Sequence, residues 1–227
     1  HSGADLARQA RVLQAHGARV LRVDADENGT VEANAARVAA AVRQTAAQAS
    51  SRLTLVSASK GGAEVALALS SLEALGEAGA VNAWVNIGGT LRGTPLADLA
   101  LSWPACWFVQ AVVLNDGSFD ALRSMASKAS AARAQALRGP ARVPVVNLIG
   151  VPLSGQVSAR ARLGYRLLRG HGPNDGITAL ADALAANAST IALAGTDHFF
   201  QRPDLDRHTL AVAWAVTRTS DERNPVR

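Results

Sequence analysis

The chain has 227 residues, of which 48% are hydrophobic and 18% are charged. This composition fits one globular domain with a sizeable core and excludes a disordered chain. The net charge of +5 comes mostly from scattered arginines, and no basic run alternates with aromatics, so we expect no nucleic-acid partner. No apolar run approaches the roughly 18 residues of a transmembrane segment. Cys106 is the only cysteine, which excludes an internal disulfide.

Helices and strands alternate along the first part of the chain. Apolar spacing predicts a helix over about residues 4–15, and the apolar run Arg19–Val23 predicts a strand. After a turn-rich segment, Thr30 is placed to cap a long helix over 31–49.

The alternation continues through the rest of the chain, except for a group of helical pieces at 95–140. The further predicted elements are a strand at 53–56, a helix at 62–75, strands at 81–87 and 143–149, a helix at 178–186, a strand at 190–194 and a helix at 205–217. Such alternation indicates an α/β fold with a mostly parallel, doubly wound sheet. We expect a single domain over 1–227.

The most informative stretch is Ser57-Ala-Ser-Lys-Gly61, between a predicted strand and a predicted helix. It leaves no room for a loop, so Ser59 lies at the centre of a sharp, strained turn. Small residues two positions either side, Ser57 and Gly61, let the chain segments pass. The Ser59 hydroxyl is then expected at a helix N-terminus, which favours negative charge. The alternative is a serine that only caps a buried helix.

This strand–turn–helix pattern resembles the nucleophile elbow of the α/β-hydrolase superfamily, in its lipase and esterase branch. The resemblance covers nearly the whole chain and implies a sheet of the α/β-hydrolase type, with Ser59 as the nucleophile. It also implies that the backbone N–H of Lys60 is one oxyanion donor. We expect the Lys60 side chain to be solvated or paired with a nearby carboxylate. Ser57 departs from the glycine that is usual at its position.

A serine nucleophile needs a base, and the superfamily orders its triad as Ser, acid, His. His198 directly follows the last predicted strand, at the sheet edge where α/β sites lie. Asp175 stands between serine and histidine in the rigid turn Gly172–Gly176, so we expect it to orient the imidazole from about 3 Å. The alternatives are Asp197, next to His198 in sequence, and an Asp175 that only closes its own turn.

Residues 95–140 occupy the position of a helical lid or cap in this superfamily. Trp103, Trp107 and Phe108 stand at helical spacing within that stretch. As part of a lid they are expected to line an apolar substrate pocket. The alternative is that these aromatics belong to the core.

The N-terminal region departs from the family pattern. The family's second oxyanion donor comes from a loop after a strand that precedes the first helix, and this sequence has no such strand. The same strand normally lies between the counterparts of 19–23 and 53–56. We therefore expect an N-terminally incomplete chain, with these two strands about 10 Å apart and not directly paired. His1, Ser2 and Gly3 are then the tail of the oxyanion loop.

The resemblance implies a carboxylic-ester hydrolase that forms an acyl-enzyme intermediate, without a metal or organic cofactor. Its substrate is expected to be a small-molecule or lipid-like ester. Thioester or polyester cleavage is an alternative, because the same triad serves any activated acyl group. A further alternative is an inactive protein with the hydrolase fold that binds a ligand or partner. We expect a soluble protein, either cytoplasmic or exported by an upstream signal; the oligomeric state is not indicated.

Overall fold

The computed structural model describes residues 6–49, 51–102, 119–134, 142–202 and 204–223. Their centre is a four-stranded parallel sheet in which each strand pairs with the next along the chain. The strands are β1 (Leu53–Ala58), β2 (Val81–Ile87), β3 (Val145–Val151) and β4 (Ser189–Ala194). The predicted α/β class and parallel sheet are confirmed. All four strands end at the same edge of the sheet, and that edge holds the site described below.

Helices flank the sheet on both faces. They are α1 (Ala7–Ala15), α2 (Val31–Gln48), α3 (Lys60–Ala74), α4 (Pro95–Leu101), α5 (Phe119–Ser124), α6 (Ser127–Ala132), α7 (Arg162–Leu167) and α8 (Leu205–Arg223), with 3₁₀ turns at Ala78–Ala80, Leu168–His171 and Leu180–Asp182. Alternate residues of a strand face opposite ways. Accordingly, Trp84 of β2 joins the core cluster formed with α2 and α3, whereas Val85 joins the cluster that includes residues of α8.

The long helix α2 begins where the sequence predicted. The Thr30 side chain accepts a hydrogen bond from the backbone N–H of Ala33 at 3.1 Å, so the predicted cap is confirmed. Glu32 lies in the first turn, where the helix dipole favours an acidic side chain.

The predicted strand Arg19–Val23 is wrong. Residues 18–26 have no regular secondary structure, and Leu21 and Val23 are 56% and 43% exposed. A β-strand exists only through hydrogen bonds to a neighbour. Within the described sheet β1 pairs with β2 alone, so residues 19–23 have no strand partner there. Because residues 19–23 form no strand, the structure has no pair of strands to which the expected 10 Å separation applies.

The predicted helix at 178–186 is also wrong. Only the 3₁₀ turn Leu180–Asp182 forms, and neighbouring loops satisfy its backbone groups. The Leu180 N–H donates to the Pro173 carbonyl at 2.9 Å, and the Asp182 carbonyl accepts from the Arg92 N–H at 3.1 Å. These long-range bonds replace the helical ones.

The region predicted as a lid is described in part. Helices α4, α5 and α6 lie within it, whereas Trp103, Trp107 and Phe108 fall outside the described residues. The lid and its aromatic pocket therefore stay predictions. Over the ranges given above, no helix is both long enough and apolar enough to cross a membrane.

A buried hydrogen bond joins β1 to β2 and explains the unusual serine at position 57. The indole N–H of Trp84, a fully buried side chain, donates to Ser57 Oγ at 2.8 Å. A glycine at position 57 provides no acceptor for this N–H. The departure from the family's glycine is thus matched by a tryptophan on the next strand.

We expect Ser57→Ala to lower the free energy of unfolding by about 1–3 kcal/mol, because the Trp84 N–H then stays buried without an acceptor. Chemical denaturation measures this change. Ser71→Ala, an exposed position on α3, is the control and should change stability by less than about 0.5 kcal/mol. In a Trp84→Phe background the cost of Ser57→Ala should shrink. Equal costs in the two backgrounds would contradict this account.

Candidate active site

Ser59 occupies a strained turn between β1 and α3. Its backbone has φ +51° and ψ −128°, a conformation that non-glycine residues rarely adopt. Two hydrogen bonds hold it there: the Ser59 N–H donates to the Ile87 carbonyl at 3.2 Å, and the Ser59 carbonyl accepts from the Thr90 N–H at 3.0 Å. The end of β2 and the loop after it therefore fix the position of the serine.

The tightest packing at this turn is at Gly62. A Cβ atom at Gly62 would lie 2.7 Å from both Asn86 Oδ1 and Gly89 Cα, so only glycine lets α3 approach β2 this closely. Gly61 is the small residue that the sequence pattern predicts two positions after Ser59. A Cβ atom there would lie 3.7 Å from its nearest neighbour, Ser57 Cβ, which is an ordinary contact. The sequence pattern thus predicts the turn but not its most constrained glycine.

The structure brings Ser59, His198 and Asp175 together. His198 Nε2 lies 3.0 Å from Ser59 Oγ, and His198 Nδ1 lies 2.8 Å from Asp175 Oδ2. A carboxylate can only accept, so Nδ1 carries the proton and donates to Asp175, which leaves Nε2 to accept from the serine hydroxyl. His198 and Asp175 are 3% and 1% exposed, whereas Ser59 is half-buried. This geometry matches the 3 Å expected between the acid and the imidazole.

The turn around Asp175 leaves one carboxylate oxygen for the histidine. Oδ1 accepts from the backbone N–H groups of Ile177 and Thr178 at 3.0 and 2.8 Å. Oδ2 is the oxygen that faces His198. The Asp175 carbonyl also accepts from the His198 backbone N–H at 2.9 Å, so the two residues are joined through backbone and side chain.

The other acidic candidate, Asp197, does not face the imidazole. Its Oδ1 accepts from the Phe199 N–H at 3.0 Å, and its Oδ2 accepts from the Ser158 N–H at 2.7 Å. Asp197 therefore anchors the loop that leads to α7. Two other histidines bond backbone carbonyls four residues earlier in the chain: His16 bonds Val12, and His208 bonds Asp204.

Comparison with known proteins bears on the fold. No family model and no curated protein matches the chain. The lipase BlEst2 of Bacillus licheniformis, in its mature form, is 26% identical over 95% of this chain and 87% of its own, with a TM-score of 0.68. A metagenomic carboxyl esterase is 24% identical over 95% of this chain and 70% of its own, with a TM-score of 0.71. A monoacylglycerol lipase of Paleococcus ferrophilus is 15% identical over 96% of this chain and 90% of its own, with a TM-score of 0.56. This chain has the α/β-hydrolase fold.

These similarities to lipases and esterases support a hydrolase. They agree with the branch of the α/β-hydrolases that the elbow sequence resembles. In this fold the nucleophile position lies on a sharp turn between a parallel strand and a helix. Ser59 occupies such a turn after β1, which is an edge strand of the described sheet.

In this α/β-hydrolase fold the Lys60 side chain is anchored rather than solvated. Its Nζ donates to the carbonyl oxygens of Asp26, Glu27 and Gly29 at 3.1, 3.0 and 2.8 Å. It also lies 3.5 Å from Glu64 Oε1, one helical turn further along α3. The expected carboxylate partner is therefore Glu64, and the lysine additionally fastens the loop before α2 to the elbow.

Glu64 continues this network into α2. The residue is 3% exposed, and its Oε1 accepts from Asn34 Nδ2 at 2.7 Å. Asn34 also bonds the backbone N–H and carbonyl of Asp26, at 3.1 and 2.8 Å. The sequence analysis missed this network. The available signal was an acid among the apolar positions of α3, four residues after a lysine.

We expect Lys60→Met to lower the free energy of unfolding by about 3 kcal/mol, because Glu64 is then buried without its cation. Chemical denaturation measures the loss, and adding Glu64→Gln should restore part of it. Arg43→Met is the matched control, since the Arg43–Glu77 pair at 2.6 Å is 42% and 44% exposed. That change should cost less than about 1 kcal/mol. A Lys60→Met variant as stable as Arg43→Met would show that the network contributes little.

Proposed function

We propose that this protein is a serine hydrolase that cleaves carboxylic esters through an acyl-enzyme intermediate. The observation that carries the proposal is the hydrogen-bonded chain from Ser59 through His198 to Asp175. Similarity to a lipase, a carboxyl esterase and a monoacylglycerol lipase supports esters as the substrate class. The alternative of an inactive binding protein offers no reason for a nucleophile, a base and an acid to be aligned in this way.

The proposed reaction has two halves. Ser59 Oγ attacks the ester carbonyl carbon while His198 Nε2 takes its proton, and Asp175 stabilises the resulting imidazolium. The tetrahedral intermediate collapses, the alcohol leaves with the proton from Nε2, and the acyl group stays on Ser59. Water then attacks the acyl carbon with the same histidine as base. The products are the acid, the alcohol and the free serine.

Negative charge on the carbonyl oxygen needs hydrogen-bond donors. Lys60 is the first residue of α3, so its backbone N–H is one of the groups without a partner inside the helix. We assign this N–H as one oxyanion donor. His1, Ser2 and Gly3, the expected tail of a second donor loop, lie outside the described residues. The lid over 95–140, with Trp103, Trp107 and Phe108 lining an acyl pocket, completes the proposal.

We expect Ser59→Ala to abolish labelling by a fluorophosphonate probe and to lower kcat on a short-chain ester by about 10⁴-fold or more, because no nucleophile remains. Intact-protein mass spectrometry measures the labelling. Ser71→Ala, an exposed serine on the same helix, serves as the control and should label fully. Stoichiometric labelling of the Ser59→Ala variant would overturn the assignment of the nucleophile.

A second experiment separates the two acidic residues near His198. Asp175→Asn should lower kcat by about 10³–10⁴-fold, because an amide no longer holds the imidazole in the reactive tautomer. Asp197→Asn should change kcat by less than about tenfold, since its carboxylate bonds only backbone N–H groups of Phe199 and Ser158. Steady-state kinetics on one soluble ester measures both variants. A larger loss with Asp197→Asn would reverse the assignment.

A further inference from the structure

Positive charge is segregated along this chain. Between Asp120 and Asp175 the sequence contains eight arginines, one lysine and no acidic residue. The net charge of the whole chain is only +5, so the remainder is net negative. The described part of the basic stretch includes α7, which has an unusual exposed surface.

Helix α7 presents arginines and leucines side by side. At about 100° per residue, Arg162 and Arg166 lie within about 40° of each other, and Leu163 and Leu167 form the adjacent strip. Gly164, on the opposite side, is buried. Leu163 and Leu167 are 68% and 46% exposed. We call Arg162, Leu163, Arg166 and Leu167, with Arg169 in the following turn, the α7 face.

The charges on the α7 face have no carboxylate partner within the described ranges. Among the described residues none of its arginines forms an ion pair, and Arg169 lies 5.9 Å from the centre of the Tyr165 ring. Five arginines elsewhere in the described ranges have carboxylate partners. The pairs are Arg8–Asp206, Arg43–Glu77, Arg123–Asp120, Arg133–Glu32 and Arg202–Asp204.

A cleft borders the same arginines. Its volume is about 220 Å³, and its lining includes Ser154, Arg162, Tyr165, Arg166 and Arg169. Guanidinium groups next to hydroxyl groups suit a phosphate-bearing headgroup. The cleft therefore adds a recess for an anion to a face that already combines charge with apolar surface.

The α7 face lies near the candidate active site. Helix α7 follows β3, at the sheet edge that also bears Ser59 and His198. A Cβ atom at Gly164 would lie 2.0 Å from the carbonyl oxygen of Gly176, so the helix packs directly on the turn that holds Asp175. A surface docked on the α7 face would lie on the other side of this helix from the Asp175 turn, at a distance of about one helix diameter.

We propose that the α7 face docks this protein on an anionic lipid bilayer. Arginines near such a surface each contribute about tenfold or less to binding, and the leucines bury in the headgroup layer, as in other interfacial amphipathic helices. A nucleic acid or a free phosphate would engage the arginines but leave the leucines in water. Of these three ligands, only a lipid surface uses both strips. The proposal concerns binding and does not depend on ester hydrolysis.

Vesicle sedimentation tests the proposal. The Ser59→Ala protein is used so that no lipid is consumed, with vesicles of phosphatidylcholine alone or mixed with phosphatidylglycerol. We expect binding to the mixed vesicles only. Changing Arg162, Arg166 and Arg169 together to glutamine should lower the partition coefficient by about a hundredfold. Changing Leu163 and Leu167 to serine should lower it by about tenfold or more.

Matched controls separate the α7 face from overall charge and hydrophobicity. Arg11, Arg37 and Arg207 are exposed arginines elsewhere, and changing them to glutamine removes the same net charge. Leu21 and Leu75, 56% and 64% exposed, are the controls for the leucines. Both control variants should bind the mixed vesicles within about threefold of the parent. The α7 variants should keep the circular dichroism spectrum and the thermal unfolding midpoint of the parent, which shows that they fold.

Several results would overturn the proposal. One is no binding of the parent to mixed vesicles, and another is an equal loss in the α7 and control arginine triples. A third is heparin binding that competes with vesicles while the leucine variant binds as the parent does, since this identifies a general polyanion surface. If the arginine triple fails to fold, the leucine pair alone decides between a bilayer and a polyanion.

Discussion

The strained backbone of Ser59 is the constraint on which the rest of the site depends. A non-glycine residue at φ +51° costs on the order of 1–3 kcal/mol, and it persists only where the surroundings hold it. The holding groups are the Ile87 carbonyl and the Thr90 N–H, both at the end of β2. The parallel pairing of β1 with β2, and the close approach allowed by Gly62, are therefore requirements for placing the hydroxyl toward His198.

Two buried polar systems meet at this turn, one on each side of the nucleophile. On one side lie His198 and Asp175, whose bonds leave a single carboxylate oxygen directed at the imidazole. On the other side, Lys60 and Glu64 connect the first turn of α3 to the loop before α2. The first system suits proton transfer, and the second fixes the backbone whose N–H we assign to the oxyanion. Rigid support of this kind is what a preorganised site requires.

The sequence was informative where local pattern alone determines structure. The strand at 81–87 is predicted at its observed bounds because its sequence, apolar except for Asn82 and Asn86, is followed directly by the glycines of a turn. Thr30 and Asp175 were identifiable because caps and rigid turns depend on a few adjacent residues.

Errors arose where distant partners decide the outcome. Residues 19–23 have a strand-like pattern but no paired neighbour among the described strands, and 178–186 has a helical pattern whose backbone bonds go to other loops. The Lys60–Glu64–Asn34 network joins residues from two helices. Its local signal, an acid four residues after a lysine, does not identify Asn34 as a partner. The buried tryptophan that accounts for Ser57 lies on another strand for the same reason.

The supports of the acid and the base have a mechanical consequence. The Asp175 turn rests on Gly164 of α7, and Asp197, beside His198, holds the Ser158 N–H in the loop leading to α7. Acid and base are thus both attached to that loop and helix, and they are joined to each other by the 2.8 Å bond. Ser59 is fastened instead to β2. The 3.0 Å contact from histidine to serine therefore joins two parts of the site that have different backbone supports.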